Sequence, residues 1–199
     1  MEKERNVMMF IIRNVLIFIL FFTISFAQDT YASFDMVSGP VDIKITDKQH
    51  VYFPLHFDGE SGVVLESEKS RTLFTTFINS SFEKFKDWES TAKENGVKDF
   101  EKDISSKRLG DLHYFKYGSW QFKFGKSIIT SRITINEDGE AFFLIITPKY
   151  TSSSNEYIKS DGGVIMLDES AVTAINKALS TEFINSVKSE EENIDALFN

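Results

Sequence analysis

Phe74-Thr-Thr-Phe-Ile-Asn-Ser-Ser-Phe-Glu-Lys-Phe-Lys-Asp-Trp88 is the stretch on which the fold turns. Phe74, Phe77, Ile78, Phe82, Phe85 and Trp88 recur at intervals of three or four, which places them on one face of a helix. Ala92 continues the stripe. Ser67 or Ser70 can cap its start, and Gly96 sits where a left-handed terminator belongs, so a helix is predicted over about 67–95. Its other face carries Glu83, Lys84, Lys86, Asp87 and Glu89. An aromatic stripe at helical spacing is core, and it needs a hydrophobic sheet face to lie against. Asn79-Ser-Ser81 has the form of a glycosylation acceptor but falls inside this helix.

Working outward, the period changes to two on both sides. Before the helix, Val41–Ile45, Val51–Phe57 and Gly62–Leu65 read as strands. Pro54 lies in the second, and a proline cannot donate to a ladder, so that strand is expected at an edge or bulged. After the helix, Tyr114–Phe124 alternates around Gly118-Ser119, which suits a two-residue type II′ hairpin. That register pairs Tyr117 with Trp120 and Phe115 with Phe122. It puts these four and Phe124 on one face and Lys116, Gln121 and Lys123 on the other.

Ser127–Ile135 and Glu140–Thr147 form a second predicted hairpin around Asn136-Glu-Asp-Gly139. A two-residue loop would set Glu137 opposite Glu140. A three-residue loop with Gly139 left-handed avoids this and pairs Ile135 with Ala141 and Ile133 with Phe143. Ala141–Ile146 is apolar on both faces and is expected to be a central strand covered on both sides. Tyr157–Lys159 and Val164–Leu167 are further short strands. Asp168 then caps a second helix with Val172, Ile175, Leu179, Phe183 and Val187 on one face. The fold class predicted is α+β: an antiparallel twisted sheet of about 6–9 short strands against two amphipathic helices, about 67–95 and 169–190.

The amino terminus reads as an address. Lys3, Arg5 and Arg13 precede an apolar run from Val15 to Phe26. That run is short of the roughly 20 residues a spanning helix needs. It suits the apolar segment of an export signal, about 7–15 residues long. Ser25-Phe-Ala27 fits signal cleavage before Gln28, and Thr30-Tyr-Ala32 offers a second site before Ser33. Residues 1–27 are thus read as a cleaved signal, and 28–199 as one α+β domain with a polar carboxyl-terminal end, 188–199. Ile194, Leu197 and Phe198 close that end with a short apolar group, expected to dock on the body or fray.

The full chain carries a net charge of −8, and losing residues 1–27 removes three basic and two acidic residues. An acidic domain is a poor partner for nucleic acid or anionic lipid, so neither is expected, nor is stable membrane insertion after cleavage. With no cysteine, the domain has no disulfide, thiol nucleophile or thiolate metal site, and must hold together by packing. No phosphate-binding, dinucleotide or zinc-protease motif occurs, and no cofactor or metal is expected. His50, His56 and His113 match no ligand spacing, even with Asp58 and Glu60 near His56. The acidic pairs Glu66/Glu68, Glu101/Asp103 and Glu137/Asp138 read as solvated.

The most suggestive surface is the aromatic hairpin. Tyr114, Tyr117, Trp120 and Phe122 are the candidate ligand-contacting residues, because flat amphipathic rings anchor sugar or peptide contacts; should they face the helices, they are core instead. The function expected is that of an exported, periplasmic or secreted, non-catalytic domain that binds a protein in the envelope or medium, or another ligand, through its surface. Two other readings stay open: a hydrolase whose site assembles from distant residues, and an envelope structural or assembly protein tethered by an uncleaved N-terminal helix. Amino-terminal sequencing of the exported protein is expected to begin at Gln28; recovery of peptides containing Lys3 or Arg5 from it would show retention instead.

Overall fold

The computed structural model describes residues 30–36, 39–45, 50–55, 61–116, 119–151, 156–157, 159–160, 162–187 and 189. Residues 1–27, with the first cleavage site, and the end from 190 onward lie outside them, whereas the second site, Thr30-Tyr-Ala32, falls within the first strand. Four strands come first: β1 (Thr30–Met36), β2 (Gly39–Ile45), β3 (Val51–Pro54) and β4 (Ser61–Leu65). Helix α1 (Glu68–Glu94) follows, then the long pair β5 (Phe100–Lys116) and β6 (Ser119–Ile135), and β7 (Ala141–Thr147). The small strands β8 (Tyr150–Thr151) and β9 (Lys159–Ser160) pair with each other, and β10 (Gly163–Leu167) leads into α2 (Glu169–Ala178). The class is α+β, with one sheet of order β1-β2-β3-β4-β5-β6-β7-β10, antiparallel throughout.

The sheet is rolled. In a flat sheet five strand steps, roughly 24 Å, would separate β3 from β10. Yet a methyl group placed on Gly163 of β10 would collide with the carbonyl of Leu55, one residue past β3. Helix α2 also rests on both end strands, β1 and β10. The apolar stripe of α1 fills the concave side. Phe74 and Ile78 are fully buried, and the Phe53 and Phe74 rings stand 5.0 Å apart. Phe143 meets Phe82 at 5.4 Å and Phe85 at 5.5 Å. A polar bond crosses this interface: the Ser131 hydroxyl donates to Ser81 at 2.9 Å, and both residues are buried.

Both helix starts are set by local chemistry. Ser67 and Ser70 act together as a reciprocal cap: each side chain accepts from the other's backbone N–H. Asp168 caps α2 by accepting from the Ala171 N–H at 2.8 Å, and from the Ser170 hydroxyl at 2.8 Å. Those two bonds favour the ionised form and hold the Asp168 carboxyl below the usual carboxylate range. The second helix is shorter than the predicted 169–190. It ends at Ala178, and a new helical stretch, 181–187, starts from Ser180, whose hydroxyl accepts from the Phe183 N–H. The break turns the apolar face, so Ile184 is buried while Phe183 and Val187 are only partly covered.

Other expectations need correcting. β3 is an interior strand, not an edge one. It tolerates Pro54 because its pairing with β2 stops at Tyr52, two residues earlier. β7 is one strand from the edge rather than central. Phe143, Ile145 and Thr147 are buried toward α1, whereas Phe142, Leu144 and Ile146 on its second face are only half-buried. β5 and β6 run 17 residues each, so the two hairpins read from the sequence share one continuous strand. The strand content of Phe100–Leu109 and of β1 escaped the sequence reading. The β6–β7 hairpin has the expected register, with Ile135 opposite Ala141, Ile133 opposite Phe143 and Gly139 left-handed at φ 88°.

A bulge at Gly110 joins the two halves of the sheet. Leu109 pairs with Ser127 and Leu112 with Gly125, so Gly110 and Asp111 stand against Lys126 alone. Gly110 is left-handed at φ 58°, a backbone region costly for side chains with a Cβ. On one side of the bulge β5 pairs with β4; on the other β6 pairs with β7. Truncating Phe143 to alanine is expected to cost about 3–5 kcal/mol, since it removes the ring that Phe82 and Phe85 pack on. Urea denaturation checks this, and a loss under about 1 kcal/mol would contradict a tightly packed helix–sheet interface.

Candidate binding surface

The hairpin singled out in the sequence closes one residue earlier than predicted. Lys116 pairs with Ser119, Phe115 with Trp120 and Tyr114 with Phe122. The pairing therefore ends at Lys116 and Ser119 and does not enclose Gly118-Ser119 as its loop, and Trp120 is paired with Phe115 instead of Tyr117. The register slips between Tyr114 and Phe115, leaving Gln121 without an opposite residue, so simple alternation fails there. Tyr117 lies outside the described residues, as do the side chains of Tyr114, Trp120 and Phe122. The register fixes the strand positions of those three.

The second face of the sheet gives a clearer surface. Register sets Leu144 between Arg132 and Met166, and Ile146 between Thr130 and Val164. Phe142 stands opposite Thr134. Val164 is 46% exposed, while Phe142, Leu144, Ile146 and Met166 are half-buried. A strand covered on one face only should alternate apolar with polar residues. β7 does not: its solvent-side positions are as apolar as its core positions.

Beside this apolar strip stands a charged cluster. The Arg132 Nε donates to Asp103 at 2.7 Å and its Nη1 to Glu101 at 3.1 Å. Asp103, then Glu101, favour the charged guanidinium and raise its pKa further. The pair Glu101/Asp103, read from the sequence as solvated, is thus tied across the sheet to one arginine. Sequence spacing could not show this, because the residues are 29 and 31 positions apart. Glu137 and Asp138 are exposed in the β6–β7 turn, which Asn136 organises by accepting from the backbone of Asp138 and Glu140.

A third feature lies on the opposite side, where α1 meets β5. The ammonium groups of Lys102 and Lys84 stand 4.7 and 5.1 Å from the centre of the Trp88 ring. Elsewhere on α1, Asn79 and Asn176 of α2 exchange amide hydrogen bonds at 3.1 and 2.7 Å, so the acceptor asparagine of the apparent glycosylation motif is used between helices.

Of the histidines, His50 is half-buried before β3, His56 falls outside the described residues with Asp58 and Glu60, and His113 is placed by backbone only, opposite Gly62. Among the described residues, no group of three His, Cys, Asp or Glu side chains could hold a metal ion. Among them too, no helix is long and apolar enough to cross a membrane. No family model matches the chain, and no characterised protein or solved structure does either.

Replacing Arg132 with alanine is expected to leave the fold intact and to cost at most about 1 kcal/mol, because the cluster is solvent-exposed. Urea denaturation at low and high salt checks this, and the difference from the parent should shrink as salt screens the pair.

Proposed function

We propose that this protein is an exported, non-catalytic domain that binds a protein partner in the envelope or medium through the second face of its sheet. The observation that carries the reading is the composition of β7. Phe142, Leu144 and Ile146 are apolar at positions where a one-sided strand carries polar residues, and the structure leaves them half-buried beside exposed Val164. An apolar strip flanked by the Arg132–Asp103–Glu101 cluster has the composition of a recognition surface: an apolar centre, a polar border and an arginine.

Export is supported by the apolar run Val15–Phe26, its basic start and the small residues at Ser25 and Ala27. The absence of cysteine means that such a domain would rely on its aromatic core in any compartment. The aromatic hairpin, with Tyr114, Tyr117, Trp120 and Phe122, remains a second surface through which a ligand could be held.

Site-specific photo-crosslinking tests the reading in the producing cell. A crosslinker at position 164 is expected to give a discrete protein adduct that the same group at Glu83, on the exposed side of α1, does not. Equal adducts at both positions, or none at 164, would remove the second face from consideration as a binding surface.

A further inference from the structure

β5 is paired on both sides over only part of its length. β4 reaches Asp111–Tyr114, while Phe100–Leu109 pairs with β6 alone. The Gly110 bulge marks the change. The N–H and C=O groups on the other side of Phe100–Arg108 therefore form an open strand edge. From Glu101 to Arg108 every side chain except half-buried Ile104 is exposed.

The charges along this edge do not balance. Glu101 and Asp103 are held by Arg132. Among the described residues, Lys102, Lys107 and Arg108 have no acidic partner, and neither does Lys84 beside Trp88. This excess of positive charge sits on a chain whose net charge is −8. Register also orders it. Lys102 lies opposite Ile133, Ser105 opposite Ser131 and Lys107 opposite Ile129, so both lysines lie on the side of the sheet that α1 covers, with Ser105 between them. Ile104 is the extra bulged residue, so Lys102 and Lys107 are four ladder positions apart.

We infer that the Phe100–Arg108 edge accepts an extended acidic segment of a partner protein as an added strand, with carboxylates at positions i and i+4 set against Lys102 and Lys107. Main-chain bonds supply the general attraction, and the lysine pair selects sequence and register. Edge lysines also deter unwanted pairing. They deter an acidic strand least. Pairing with a second copy of this edge about Ser105 would set Lys102 opposite Lys107, like charge against like. The proposal rests on the open edge and on Lys102 and Lys107, not on the apolar strip of β7, so either stands without the other.

The test uses the full chain in non-ionic detergent and fluorescent peptides of alternating threonine and valine, with glutamates at i and i+4. Fluorescence anisotropy is expected to show binding that weakens with salt. Binding should fall on the order of tenfold for Lys102→Gln/Lys107→Gln, which keeps most of the side-chain stem. It should also fall when the peptide backbone is N-methylated, while a lysine-bearing peptide should not bind. Thermal unfolding monitored by circular dichroism confirms that the variant is folded. Binding indifferent to N-methylation would show diffuse charge attraction and overturn strand addition. Binding indifferent to the lysine changes would overturn the assigned edge. Absence of binding, with concentration-dependent dimers of the glutamine variant in sedimentation, would identify the lysines as guards against self-pairing and also overturn the proposal.

Discussion

The contact of Phe82 and Phe85 with Phe143, and of Phe53 with Phe74, holds two distant parts of the sheet to one helix. The sheet reaches the 27-residue α1 from both parts by rolling around it. Once rolled, it brings β10 beside the end of β3 and lets α2 rest on both end strands. With no disulfide available, these contacts and the burial they bring are the main source of stability.

Part of the cost of rolling is met by the backbone at the Gly110 bulge. The β5–β6 ribbon must serve β4 at one end and β7 at the other, and the two do not lie in one plane. Gly110 takes a conformation that a residue with a Cβ adopts poorly, and the bulge lets the ribbon bend there. The same bend leaves Phe100–Arg108 without a second neighbour. The open edge and its lysines are thus by-products of the geometry that grips α1, and so is the half-covered second face of β7.

Much of this architecture was legible in the residues. Helix α1 followed from the spacing of six apolar side chains, and its capping serines from position alone. The β6–β7 register followed from a local conflict, Glu137 against Glu140, that only one loop length relieves. The aromatic hairpin departs from its alternation because the strands close at Lys116 and Ser119, not around Gly118-Ser119, and slip at Gln121. Alternation alone cannot reveal a bulge, since one unpaired residue reverses every position beyond it. The long α2 failed for a related reason: Ser180 offers a hydroxyl to the Phe183 N–H, a local bond that competes with helix continuation. The candidate surfaces were less legible still. Arg132 meets Asp103 and Glu101, and Lys102 meets Trp88, only through pairings between separate elements.

By itself the sequence determined the class of the fold, the main helix, the caps of both helices and the acidity of a cysteine-free chain. These are properties of neighbouring residues, carried by periods of two and 3.6 and by short-range hydrogen bonds. Tertiary structure decided which strands became interior, where the ribbon bends, which face of β7 stayed half-covered and which charges found partners. Those outcomes depend on closing a sheet around a helix, a constraint that acts between residues far apart in the chain and leaves no local period to read.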